Sequence, residues 1–143
     1  MFTLEDAINI AVKAHKGQKD KAYESYILHP LHVMMQMDTD TERIVAVLHD
    51  VTEDSDITLL FLKHMGITEE ISLALFALDK NNFNSYDEMI AVCKLNPIAR
   101  KVKLADLEHN MTLKRTLGRE EMNEKDKERI AKYYKSWIFL KGE

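Results

Sequence analysis

Histidine and acidic side chains at the end of an apolar helical stretch are the residues of this sequence best suited to chemistry. Residues 44–48 are apolar and lead directly into His49 and Asp50, and Glu53 and Asp54 follow one turn later. In a continuous helix, residues four apart share a face, so we expect His49 beside Glu53 and Asp50 beside Asp54. An adjacent His-Asp pair also arises by chance, and two terminal acids are equally typical of a solvated helix end.

Two other segments place metal-ligating side chain types among apolar residues. His29 precedes Pro30 at the expected start of a helix, and Asp106 shares a helix face with Asn110. A lone histidine in such a stretch is more often a hydrogen-bonded core residue than a ligand. Taken together, however, four side chains form a sensible donor set for a divalent metal: His29, His49, Asp50 and Asp106. Mixed imidazole and carboxylate donors suit manganese, iron or zinc better than calcium.

The apolar periodicity around these positions predicts an all-α protein. The helical period recurs along the chain, and no segment alternates with the period of a strand. Capping residues and prolines predict about eight helices, which begin near Thr3, Pro30, residues 38–40, Asp56 or Thr58, Thr68, Ser85, Asn96 and Asn123. With four glycines, two prolines and no internal repeat, we expect residues 1–143 to form one compact domain.

Composition excludes several classes of partner. The chain has the length of one domain at 143 residues, and 45% hydrophobic and 31% charged residues are typical of a globular protein. The net charge of −4 argues against broad electrostatic binding to nucleic acid or to an anionic membrane. The N-terminal residues include acids, and no apolar run approaches the ~18–20 residues of a membrane span. We therefore expect a soluble, cytoplasmic protein with neither nucleic-acid nor membrane partners.

Four segments occur in the order and spacing of a known family. They are residues 14–18 (AHKGQ), 26–30 (YILHP), 48–54 (LHDVTED) and 102–111 (VKLADLEHNM). From about residue 7 to residue 135 the chain resembles the HD-domain alarmone hydrolases. These comprise the hydrolase half of the Rel/Spo stringent-response enzymes and their small stand-alone relatives. The resemblance implies a compact HD-domain helical bundle and a metal-dependent phosphohydrolase of the small stand-alone kind.

The resemblance also implies a role for individual side chains. The metal, usually manganese in this family with Zn²⁺, Fe²⁺ or Mg²⁺ as alternatives, would be bound by His29, His49, Asp50 and Asp106. Glu53 and Asp54 would position and deprotonate the attacking water. The substrate-binding residues would be Asn110, Arg129, Tyr133, Lys80 and Lys103. His15 would be a structural histidine, and His32, His64 and His109 receive no role.

These assignments predict an enzyme whose substrate is a small phosphorylated nucleotide. The expected reaction removes the 3′-pyrophosphate of ppGpp and leaves GDP. One departure favours a different substrate, because the family usually has an arginine that stacks on the guanine base where this chain has Asp20. An HD phosphohydrolase acting on another nucleotide or phosphoester is therefore the alternative. A non-catalytic helical metal-binding module is a third hypothesis, in which Glu53 and Asp54 would have no purpose.

Overall fold

The computed structural model describes residues 1–112 and 122–142, and in these residues the protein is all-α. The helices are α1 (Leu4–His15), α2 (Leu28–Met35), α3 (Asp40–Leu48), α4 (Val51–Asp54), α5 (Leu59–Met65), α6 (Glu69–Leu78), α7 (Tyr86–Leu95), α8 (Pro97–Asn110) and α9 (Glu124–Lys141). A short 3₁₀ helix, Lys80–Asn82, joins α6 to α7. The predicted fold class is confirmed. The number of helices in the described residues is eight when α3 and α4 are counted as one interrupted helix.

Helix starts agree with the predicted capping residues at most positions. The side chains that accept a hydrogen bond from the first turn belong to Thr3, Thr39, Thr58, Thr68, Ser85, Asn96 and Asn123. These contacts satisfy backbone N–H groups that have no partner within the helix. At Thr3, Thr39 and Asn123 the third helical residue returns the bond, which completes a capping box.

The predicted start of α2 at Pro30 is wrong by two residues. The chain already turns before the proline, because Leu28 N–H donates to the Ser25 carbonyl and His29 N–H donates to the Tyr26 carbonyl. Pro30 is tolerated in this first turn because its missing N–H would have no helical partner there. His29 consequently lies within the first turn of α2 rather than before it.

The prediction of one continuous helix through residues 44–54 is also wrong. The helix is interrupted at His49 and Asp50, between α3 and α4. The cause is the Ala46 carbonyl, which accepts both the backbone N–H and the Nδ1–H of His49. Two consecutive residues of a regular helix point in different directions, but here the His49 Nε2 and the Asp50 Oδ2 lie 3.1 Å apart. The interruption therefore aims both side chains at one point.

α3 is the central helix of the bundle. Its residues 45–48 are completely buried, and the helix packs against α1, α2, α6 and α8. α8 in turn packs against α2, α6, α7 and α9. The buried end of α3 therefore leads directly to His49, and its neighbours α2 and α8 pack against it. Within the described ranges, none of the helices has both the length and the apolar character required to cross a membrane.

The N-terminus of α3 offers a test of this local structure. Thr39→Ala removes the hydroxyl that accepts from the Glu42 N–H at 3.2 Å, at an exposed position where no cavity forms. We expect the free energy of unfolding to fall by about 1 kcal/mol in urea denaturation. Thr39→Ser keeps the acceptor and should retain most of the stability. Equal losses in the two variants would show that the cap contributes nothing.

Candidate metal centre

The four predicted ligand side chains converge between α2, the α3–α4 junction and α8. His29 Nε2 lies 2.8 Å from Asp106 Oδ1 and 3.7 Å from Asp50 Oδ2. His49 Nε2 lies 3.3 Å from the same Asp106 oxygen. One donor atom from each of the four residues lies within 4.8 Å of the other three. The structure thus brings together side chains that are up to 77 positions apart in the chain.

This donor set fits a single divalent cation. The side chains of His29, His49 and Asp106 are only 1–5% exposed, and that of Asp50 is 15% exposed. Two carboxylates so close together in a buried setting repel each other unless positive charge lies between them. Two imidazole nitrogens and two carboxylate oxygens are suitable ligands for manganese, iron or zinc. Binding of a cation here, and its identity, stay predictions.

Hydrogen bonds hold each aspartate in place. The Tyr26 hydroxyl donates to Asp50 Oδ2 at 2.6 Å. Lys103 Nζ donates to Asp106 Oδ2 at 2.8 Å, and the Asn110 amide donates to Asp106 Oδ1 at 3.1 Å. Ligating carboxylates are commonly oriented by partners of this kind. Sequence reasoning noticed Tyr26 only as part of a motif, because its contact with Asp50 spans 24 positions.

Electrostatics keep both aspartates ionised. Burial alone would raise the pKa of Asp50, but the adjacent positive charge of His49 outweighs it and holds that pKa below its ordinary value. At Asp106 burial is likewise outweighed, chiefly by the Lys103 ammonium, and the pKa lies well below its ordinary value. Burial alone would lower the pKa of His49. The charges and hydrogen bonds of Asp50 and Asp106 outweigh this effect, so that pKa lies well above its ordinary value. A cation would have to displace the His49 proton, so metal affinity should rise with pH.

Glu53 and Asp54 lie on α4, beside the cluster and open to solvent. Protein atoms nevertheless surround much of each carboxylate, and this loss of hydration raises both pKa values, with the Asp50 charge adding to the effect. Gln18 Nε2 donates to Asp54 Oδ2 at 3.4 Å, and the Oε1 of the same side chain lies 2.9 Å from His15 Nδ1. The buried His15 therefore anchors a glutamine that reaches Asp54, a connection that sequence reasoning missed.

Sequence comparisons with known proteins show the family to which this chain belongs. No family model matches the chain. A GTP pyrophosphokinase of Streptomyces coelicolor is 31% identical over 143 residues, which cover 91% of this chain and 17% of that protein. A guanosine-3′,5′-bis(diphosphate) 3′-pyrophosphohydrolase of Vibrio cholerae is 33% identical over 129 residues, which cover 80% of this chain and 18% of that protein. The chain is a Rel/Spo-like domain.

A solved structure has a fold similar to that of this chain. It is that of a metazoan ortholog of SpoT, described as hydrolysing ppGpp and playing a role in starvation responses. The TM-score is 0.75 at 16% sequence identity, and the match covers 96% of this chain and 84% of that one. This likeness shows that the Rel/Spo-like domain has the same helical fold. The domain spans about one sixth of the length of the two curated relatives.

The predicted substrate-binding residues lie at different distances from the cluster. Asn110 and Lys103 contact Asp106 directly, and the Lys103 ammonium is therefore already paired. Tyr133 is partly buried, and its pKa is raised first by this burial and then by the negative charge of Asp106. Arg129 pairs with Asp126 at 2.8 Å, and Lys80 is exposed on the 3₁₀ helix. The structure thus brings some of these residues to the cluster, and their contacts with substrate stay predictions.

Asp20 of the Rel/Spo-like domain stabilises the loop between α1 and α2. Its Oδ1 accepts hydrogen bonds from Ala22 N–H at 2.8 Å and from Glu24 N–H at 3.0 Å. The turn includes Tyr23, whose φ of 63° is in the left-handed region. Asp20 and Arg129 both line a cavity of about 340 Å³ between this loop and the start of α9. The aspartate therefore supports the loop and also places negative charge at the edge of that cavity.

Loss of one imidazole tests the metal centre directly. His49→Ala should weaken Mn²⁺ binding by more than the roughly 10–100-fold that loss of a partner of a metal ligand costs. Isothermal titration calorimetry measures the affinity, and circular dichroism of the metal-free protein checks the fold. His64→Ala, which alters an exposed histidine on α5, should bind like the wild type. An unchanged affinity in His49→Ala would contradict the assignment of this ligand.

Proposed function

We propose that this Rel/Spo-like domain is a divalent-metal-dependent phosphohydrolase that removes the 3′-pyrophosphate of ppGpp. The observation that carries the proposal is the buried cluster of two histidines and two aspartates with Glu53 and Asp54 beside it. The names of the Vibrio cholerae relative and the metazoan SpoT ortholog support hydrolysis. The Streptomyces coelicolor relative is named for pyrophosphate transfer, but a metal-ligand cluster beside two solvent-facing carboxylates suits attack by water.

The four-residue cluster and the carboxylates of Glu53 and Asp54 have different roles in the reaction. When bound, a divalent cation supplies Lewis-acid polarisation of phosphate oxygens and makes a nearby water easier to deprotonate. Glu53 takes the proton of the attacking water, because its raised pKa makes it a better base than an ordinary carboxylate. Asp54, held by Gln18, orients the same water.

The chemical balance is that of a phosphoester hydrolysis. The water oxygen adds to the phosphorus attached to O3′, and the bond between that phosphorus and O3′ breaks. The proton taken by Glu53 returns to O3′, which leaves GDP and pyrophosphate. Asn110 and Tyr133 position the sugar and phosphates beside the cluster. Lys80, Lys103 and Arg129 supply positive charge toward the pyrophosphoryl group that is transferred to water.

A second candidate function is hydrolysis of another nucleotide or phosphoester by the same machinery. The observation that favours it is Asp20, which lines the cavity between the loop and α9. A carboxylate cannot stack on a purine as an arginine can, and it repels a highly charged nucleotide. The metal-dependent step is unchanged in this alternative, and only the group that the loop recognises differs.

Replacing Glu53 separates proton transfer from metal binding. Glu53→Gln keeps the size of the side chain but removes the base, so kcat for ppGpp should fall by about 10²–10⁴-fold. Mn²⁺ affinity should change little, because Glu53 is not one of the four ligands. Glu70→Gln, at an exposed position on α6, is the matched control and should retain activity. Turnover at the wild-type rate in Glu53→Gln would rule out its role as the base.

Asp20 provides the test of substrate. If ppGpp is the substrate, Asp20→Arg should raise kcat/KM for ppGpp by about 2–30-fold, which corresponds to roughly 0.5–2 kcal/mol from a cation–π contact with the base. Asp20→Asn is the matched control, since it removes the charge while keeping an oxygen that can accept from the loop. Wild type and both variants are compared on ppGpp, pppGpp, NADPH and simple nucleotides. Negligible ppGpp turnover in all three, with another compound hydrolysed well, would favour the second function.

A further inference from the structure

We propose that His109 is a positioning residue of the metal centre, and that its Nδ1 accepts a hydrogen bond from the Nδ1–H of His29. This bond would leave the Nε2 lone pair of His29 directed at the cation. The inference rests on the proposed metal-dependent function. It begins from the short contact of 2.7 Å between His29 Nδ1 and His109 Nδ1.

The two rings meet edge to edge. Their planes differ by only 5°, and their centroids lie 5.0 Å apart. The two nitrogens are 2.7 Å apart, although the ring centroids are 5.0 Å apart. With nearly parallel planes, both distances hold only if the rings lie almost in one plane with the two nitrogens facing each other. The N–H of one ring then points along the lone pair of the other. This is the nearly linear arrangement that a hydrogen bond prefers.

Metal binding decides which nitrogen donates. A neutral imidazole carries one proton, and the nitrogen that binds a cation must be free of it. His29 Nε2 faces both aspartates of the cluster, so a bound cation leaves the proton on Nδ1. The His29 side chain is 1% exposed, and a buried N–H without an acceptor costs free energy. The atom within reach is His109 Nδ1, which accepts when the proton of His109 is on Nε2.

His49 provides an internal comparison. Its Nδ1–H donates to the Ala46 carbonyl, which leaves its Nε2 for the cluster. Metal-ligating histidines commonly use the second nitrogen in this way, and the partner orients the ring. His29 has the same requirement, but its Nδ1 meets the ring of His109 rather than a carbonyl. The two histidine ligands therefore have equivalent arrangements built from different acceptors.

Helical spacing places His109 where this role needs it. His109 follows Asp106 by three positions on α8, and His32 follows His29 by three positions on α2. Residues at this spacing share a face, so the two helices present matching pairs to each other. The His32 ring stacks on His109, with centroids 3.8 Å apart and planes 12° apart. His32 thereby restricts rotation of the ring that His29 contacts.

Two substitutions separate the acceptor from the shape of the ring. His109→Phe keeps a planar ring for His32 but has no acceptor, whereas His109→Asn can place an oxygen near the position of Nδ1. We expect Mn²⁺ affinity, measured by electron paramagnetic resonance titration, to fall about 10–100-fold in His109→Phe. It should largely recover in His109→Asn. His32→Phe, which changes the stacked ring without touching the contact, should bind Mn²⁺ like the wild type.

A second measurement, made on the wild-type protein, tests the inference even if His109→Phe does not fold. Long-range ¹H–¹⁵N spectra of the Zn²⁺-loaded wild type should show the His29 proton on Nδ1 and the His109 proton on Nε2. A His29 Nδ1 without a proton, or wild-type Mn²⁺ affinity in folded His109→Phe, would overturn the inference and leave the metal centre standing. If wild type bound neither Mn²⁺ nor Zn²⁺, the metal centre and the proposed function would both fail.

Discussion

The structure of the site depends on the proximity of two aspartates, of which Asp106 is buried and Asp50 is largely buried. Asp50 and Asp106 both lie within hydrogen-bonding or ion-pair distance of His29 and His49. Bringing two carboxylates together away from water is unfavourable unless positive charge and hydrogen-bond donors compensate them. Lys103 neutralises part of the charge, and Tyr26 donates to the oxygen of Asp50 that faces the histidines. A divalent cation among the four side chains would complete this compensation.

The interruption between α3 and α4 follows from the same requirement. A regular helix would direct the side chains of His49 and Asp50 about 100° apart. Bonding of both His49 N–H groups to the Ala46 carbonyl ends the helix at that residue and fixes the proton on Nδ1. The loss of regular helical bonding thus achieves two things that ligation needs. It turns two consecutive side chains to one site, and it directs His49 Nε2 toward both aspartates.

Much of this arrangement follows from local sequence, and the remainder depends on distant contacts. Helix starts at Thr3, Thr58 and Asn123 could be predicted because a cap and its partner lie within three residues. The four ligand types were recognisable because charged groups are rare in apolar helical stretches. The break at His49 could not be predicted, because it arises from a side chain that bonds the backbone. Contacts of His29 with His109, across 80 positions, become visible only in the folded structure.

The acidic residues around the α3–α4 junction fall into two classes, although they lie within five positions of one another. Asp50 has a pKa held below its ordinary value by His49, despite burial, and this charged form is the one that a cation would require. Glu53 and Asp54 lie one turn further on, where loss of hydration and the Asp50 charge raise their pKa values. The ionised Asp50 therefore makes its neighbours better bases. Such a separation of carboxylate pKa values by environment is how one short segment can both hold a cation and accept a proton.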